Sequence, residues 1–456
     1  MKKIERICAV ILALALGAFC FACGDKVGKG EEKQDLRDDK YLVLMLTNKR
    51  HNEIESFFPV VKELYGPLDT ESGRMFAIGV IGPMLLNQSV EQMNEQVNHV
   101  FDLAEKHHVP VYFQLDDQNN YTTYFGNAAP KKFWDYPGMC EWVAFPEEGE
   151  EWGGQSKGWK IPRFWFNWGN WLAAPAVPNF ASPSFRALMG ENLKEGFLRP
   201  CMERYKKLIA EDKAYLFAGC ATGWETHIPD MSASNPLVSI TSNPTYLTQT
   251  MEDYEKLPYG YGALHTLGYN QAKLEAEAAA AGKSVTLYRN EILFKVIHDY
   301  AEFMSKTAFD AGIPRRKVFT HTVGYASHVP SVSCTFTPPV WTAVNDYSIP
   351  GYTMSPVTCR YNVKTLKAEI AKKDPVNEFA IAEGYAAGLN GAAEATAYFK
   401  EMFVENNCRL ITTFAFGDDI KTVFLFDRTP EFGYTVAANR WLSGSLENPY
   451  EKKSKQ

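Results

Sequence analysis

The 456-residue chain contains no GxxxxGK[ST] loop to cradle a phosphate and no HExxH pair to hold zinc. Its nine histidines show no metal-ligand spacing. The six cysteines beyond the leader, Cys140, Cys201, Cys220, Cys334, Cys359 and Cys408, are too sparse for a disulfide scaffold and too widely spaced for structural zinc. A basic excess is also missing: the net charge is -7, so neutralising a nucleic-acid backbone is not the chain's main task. No internal repeat is visible. These absences leave a protein without an evident cofactor, metal or nucleic-acid partner.

What is present is a large apolar content and many aromatics. With 46% hydrophobic residues the chain can bury a sizeable core, and it carries 10 Trp, 23 Tyr and 29 Phe. The N-terminus reads as a targeting segment, with Lys2, Lys3 and Arg6 ahead of an apolar run from Ile7 to Ala22 that is short for a membrane span. The run ends Cys20-Phe21-Ala22-Cys23-Gly24, and a small residue before a cysteine resembles a bacterial lipobox. That resemblance implies cleavage after residue 22, acylation at Cys23, and an exported protein held to the cell envelope. Residues 23–40 are polar and suit a tether; residues 446–456 form a polar tail.

Between them, residues 41–445 alternate short apolar runs with longer helical patterns, the rhythm of parallel strands joined by crossover helices. Strands are expected at Tyr41–Thr47, Met75–Ile81, Val109–Leu115, Ala214–Ala221, Lys317–Thr322, Tyr347–Met354, Glu378–Ala382 and Arg409–Phe416. Helical spacing is clearest at Val90–His107, through Met93, Val97, Val100, Phe101 and Ala104. Eight strands predict a closed (β/α)8 TIM barrel as a single domain, with long insertions after the third and fourth strands.

In such a barrel the strand C-termini open on one face, where the chemistry is kept. Two stretches deliver a glutamate there. Leu216–Thr226, LFAGCATGWET, ends its apolar run in Trp224 and Glu225. Far downstream Glu378–Tyr385, EFAIAEGY, delivers Glu383. Paired carboxylates suit acid/base and nucleophilic work, one protonated and one ionised.

Around them lie weaker candidates. Asp116 and Asp117 end the third strand and suit sugar hydroxyls or a calcium ion. His227 follows Glu225 by two. His321 ends the fifth strand, where it can bond a sugar hydroxyl or orient a carboxylate. Tyr352 and Tyr385 sit beside the sixth and seventh strands. The insertion from Asp116 to Pro183 holds seven of the tryptophans, including Trp165 and Trp168, and its Pro, Gly and Asn content argues against regular structure. Most are expected to pack the insertion onto the barrel, with one or two reaching the cleft to stack on a sugar ring.

A glutamate after the fourth strand and another after the seventh resemble the acid/base and nucleophile of clan A glycoside hydrolases, a superfamily that includes families 5 and 42. The resemblance covers roughly residues 41–417 in layout and two positions in specific content. It implies a retaining glycosidase in which Glu225 is the proton donor and Glu383 attacks the anomeric carbon of a carbohydrate. The clan usually has asparagine directly before the acid/base, to hold the sugar 2-hydroxyl, and this chain has Trp224. That departure favours the competing expectation, a surface lipoprotein that binds glycans on a barrel without cleaving them. A lyase or isomerase using the same acid pair is the third class, because fold alone does not select a reaction.

Overall fold

The structure is a computed structural model. It describes residues 33–46, 53–86, 88–117, 136–142, 144–145, 163–167, 170–174, 178–228, 260–322, 335, 337–384, 389, 391–414 and 433–446. The chain divides into two units, Met1–Leu36 and a body, Arg37–Gln456. Cys23, the expected acylation position, and most of the first unit lie outside the described residues.

Eight parallel strands build the body: β1 (Lys40–Leu46), β2 (Arg74–Met84), β3 (Val111–Asp116), β6 (Phe217–Ala221), β7 (Val318–Phe319), β8 (Gly351–Met354), β9 (Phe379–Gly384) and β10 (Cys408–Thr413). They are hydrogen-bonded in the order β7-β6-β3-β2-β1-β10-β9-β8. The two edges then meet, through parallel bridges Phe319↔Ile349 and Thr322↔Tyr352. Each strand thus neighbours its predecessor in the chain, and the ring is the expected TIM barrel.

Side-chain alternation divides the core in two. Tyr41, Val43 and Met45 of β1 point inward with Met75, Ala77, Tyr112, Ala218, Phe319, Ala380 and Leu410. The alternate residues Leu42, Leu44 and Leu46 point outward and pack with Phe76, Ile78 and Val80 under the helices. Near-continuous apolar strands follow from burial on both faces.

The helical layer includes α1 (Phe57–Tyr65) and α2 (Val90–His107), the latter opened by a capping box between Ser89 and Gln92. Next come α3 (Pro183–Glu191) and α4 (Arg199–Ala210), joined by a π-helical stretch, Asn192–Leu198. Pro200 lacks the N–H that a regular helix would use there. The second insertion contributes α5 (Tyr261–Thr266) and α6 (Gln271–Ala280) before the long α7 (Val285–Asp310). Then come α8 (Pro356–Ala371), α9 (Gly391–Phe399) and α10 (Tyr434–Leu442). Among the described residues no helix is long and apolar enough to cross a membrane.

The first insertion is more regular than its composition predicts. An antiparallel hairpin, β4 (Arg163–Asn167) with β5 (Asn170–Ala174), forms within it. The consecutive aromatics Phe164, Trp165 and Phe166 have high strand propensity and favour β4 there.

Candidate active site

Two irregularities at the strand C-termini aim the glutamates. On β9, Ile381 pairs with Tyr352 but Glu383 pairs with the next residue, Thr353, so Ala382 is an extra residue. Without that bulge Glu383 would share the outward parity of Phe379 and Ile381. With it, Glu383 stands opposite Thr353 and is fully buried. The following Gly384 is required for space: a Cβ there would collide with the backbone carbonyl of Thr412.

The turn after β6 does the equivalent for Glu225. Thr222 N–H donates to the Phe319 carbonyl at 2.9 Å and Thr226 N–H to the His321 carbonyl at 2.8 Å. Three residues bow out on one side against one on the other. At the turn's end Glu225 takes a left-handed φ of +45°, an unfavourable conformation for a residue with a Cβ. Asp117 holds the turn from below, its Oδ1 accepting the Trp224 backbone N–H at 3.1 Å.

The result is one cluster. A carboxylate oxygen from each of Glu225 and Glu383 and a ring nitrogen of His321 all lie within 4.8 Å of one another. Trp224 Nε1–H donates to Glu383 Oε2 at 3.0 Å, and Thr353 Oγ1–H donates to Glu225 Oε1 at 2.7 Å. His321 Nε2 lies 2.8 Å from Thr353 Oγ1, and its Nδ1 lies 3.2 Å from Gln114 Nε2. Three donors of this kind could hold a divalent cation, but His321 would first have to release Thr353 or Gln114.

Burial governs the electrostatics. It pushes His321 down to about 3, aided by nearby His227 and opposed by a backbone hydrogen bond with Gly223, so the ring is neutral. Asp117 is pushed up to about 7, first by burial and then by Asp116 beside it, against the Trp224 N–H. Tyr112, beneath the glutamates inside the barrel, is raised by burial and by the charges of Cys220 and Glu383.

Comparison with known proteins adds a likeness of layout. No protein-family model and no curated protein matches the chain. Among solved structures, the catalytic domain of a β-amylase from Paenibacillus polymyxa aligns with TM-score 0.46 at 9% identity, covering 83% of this chain and 92% of that one. A broad-specificity endoglucanase from an uncultured bacterium gives 0.43 at 10%, covering 90% and 95%. A glycoside hydrolase family 5 enzyme from Prevotella bryantii gives 0.38 at 9%, covering 90% and 98%. Scores and identities of this size carry no chemistry across. The chemistry must be read from the site's own atoms.

The structure therefore brings Glu225, Glu383, Trp224 and His321 together, with His227 adjacent: its Nδ1 contacts the Glu225 carbonyl. Asp116 and Asp117, expected at sugar hydroxyls or a calcium ion, are both wholly buried, and Asp117 Oδ1 supports a backbone turn. Tyr352 is also committed elsewhere, its hydroxyl donating to the Val340 carbonyl at 2.9 Å on the helix side of the barrel. Trp165 is placed on β4, while Trp168 and Tyr385 lie outside the described residues. Trp142 of the aromatic insertion is buried core, as expected for most of that group. Sequence reasoning missed Thr353 and Gln114. Gln114 carried a signal, a polar residue inside the apolar run Val109–Leu115. Thr353 carried none, because its inward parity depends on the register of a four-residue strand.

Proposed function

We propose that the chain is a retaining glycoside hydrolase in which Glu383 is the nucleophile and Glu225 the general acid and base. The observation that carries this reading is the approach of the two carboxylates to within 4.8 Å. Retention uses carboxyl groups roughly 5 to 5.5 Å apart, whereas inversion needs about 6.5 to 9.5 Å to admit a water. Two like charges so close favour a state in which the pair shares one proton, supplying an acid and an ionised partner together.

The environments assign the roles. Glu383 is fully buried on a strand and accepts the Trp224 indole N–H, which favours its charged form and fixes the attacking oxygen. Glu225 is partly exposed on a turn, where leaving group and water arrive. Glu383 bonds to the anomeric carbon as the glycosidic C–O bond breaks and Glu225 gives its proton to the departing oxygen. Glu225 then takes a proton from water, which displaces Glu383. Glycan capture without cleavage is the weaker reading, since it has no need of two acids with oxygens within 4.8 Å of each other. The lipobox-like leader adds that substrate would be met at the envelope, as oligosaccharide or surface polysaccharide.

The test is hydrolysis of a panel of aryl glycosides and polysaccharides by wild type, Glu225→Gln and Glu383→Gln, with the product anomer followed by NMR. Each variant should lose roughly 10²–10⁴-fold in kcat, with net retention in wild type. Undiminished turnover in both variants, or inversion, removes the mechanism.

A further inference from the structure

Resting on that reading, we propose that Gln114, His321 and Thr353 form a one-way hydrogen-bond chain that commits Glu225 Oε1 to accepting, so that Oε2 is the oxygen that exchanges the catalytic proton. The direction follows from the donors. An amide Nε2 can only donate, so its 3.2 Å contact leaves His321 Nδ1 bare. A neutral imidazole with a bare Nδ1 carries its hydrogen on Nε2, and that one hydrogen serves both Thr353 Oγ1, 2.8 Å away, and the Gly223 carbonyl that the ring also bonds. With a lone pair of its oxygen so occupied, the threonine hydroxyl turns its own hydrogen to Glu225 Oε1 at 2.7 Å. Protonating Oε1 would make the Thr353 hydroxyl turn its hydrogen away from Glu225 and accept a second bond, forfeiting the one it donates. The proton of neutral Glu225 therefore belongs on Oε2.

The chain's members are buried in the barrel interior: Gln114 is fully buried, and His321 and Thr353 are each 1% exposed. The three residues come from β3, the end of β7 and β8, so the barrel itself fixes their spacing. These are positioning residues, since they act on Glu225 and not on substrate. Among the described residues, the charged or titratable groups facing Glu225 include Glu383 from β9, His321 just after β7, His227 on its own segment and Asp117 below its turn. A nearby carboxylate disfavours ionisation of Glu225, and the Thr353 hydroxyl favours it.

Two readouts on the full chain test this, one independent of turnover. In selectively ¹⁵N-histidine-labelled protein, assigned with His321→Gln, His321 should show the Nε2–H tautomer and stay neutral to below pH 5. An Nδ1–H tautomer, or a charged ring at pH 6, overturns the chain. In Thr353→Val the Glu225 carboxyl, followed by ¹³C NMR, should titrate roughly one pH unit higher, and the basic limb of kcat/KM should move with it. Thr353→Ser should restore the wild-type position. A limb and resonance that stay in place while kcat falls mean a packing role only, and sink the proposal. Absence of hydrolysis by wild type would count against the glycosidase reading alone, because both NMR readouts would still decide the chain.

Discussion

Trp224 shows how much a single side chain can be asked to do at this site. Its backbone N–H is held by Asp117, and its indole reaches across the cluster to Glu383 Oε2. Trp224→Phe keeps most of the packing and removes only the indole donor, so it separates the two tasks. A hydrogen bond to a charged group contributes about 1.5–3 kcal/mol. Loss of it should therefore raise the Glu383 pKa, move the acidic limb of kcat/KM upward by about one unit and lower kcat roughly tenfold. Stability at neutral pH should fall by about 1.5–3 kcal/mol, the contribution of the lost bond. A pH–rate profile with an unmoved acidic limb would show that the indole does not tune the nucleophile. At this scale the sequence was informative about charge and poor about direction. Glu225 and Glu383 were visible because a carboxylate after an apolar run is costly to bury without a role. Tyr352 reads as a sugar contact from its residue type, yet the register sends that ring outward.

Elements decide what single residues cannot. The eight apolar runs and the helical spacings between them were legible because strands buried on both faces and helices buried on one leave different periodicities. The expected helix Val90–His107 coincides with α2 to the residue. Bulges were not legible, for they arise only when two strands are compared side by side. The inserted elements were partly hidden for a similar reason, since their order depends on contacts with each other. Glu141 is one such contact: from the first insertion, its Oε2 accepts the N–H groups of Gly262 and Ala263 in α5, at 3.0 and 3.3 Å. Burial raises its pKa from 4.5 to about 8, against those backbone donors. A group whose folded pKa is raised stabilises the fold fully below its unfolded pKa, and that contribution is lost as pH rises through the folded value. Wild type should thus lose stability between about pH 4.5 and 8 on Glu141's account. Glu141→Gln should flatten the dependence in urea midpoints measured across that window. An equally steep slope in the variant would place the titrating group elsewhere.

The barrel as a whole separates chemistry from stability along its axis. The glutamates lie at the strand C-termini, while the N-terminal end is closed by a charged clamp around Arg409. That guanidinium, 4% exposed, pairs with Glu378 and donates to Asp38 Oδ1 at 2.6 Å, tying the starts of β9 and β10 to the entry of β1. Glu378 just precedes β9 and Glu383 lies near its end, about 16 Å away at roughly 3.3 Å per residue. That is well beyond the roughly 4–6 Å at which a neighbouring charge shifts a pKa strongly. Arg409→Met should therefore destabilise the protein by roughly 3–5 kcal/mol, because it strands the buried Glu378 carboxylate. Adding Glu378→Leu should recover part of that loss. Neither change should move the limbs of the pH–rate profile at a temperature where the variant is folded. Denaturant unfolding and kcat/KM profiles on the same preparations make the comparison. A shifted profile in Arg409→Met would mean that the two ends of the barrel are coupled, and the division of labour along its axis would not hold.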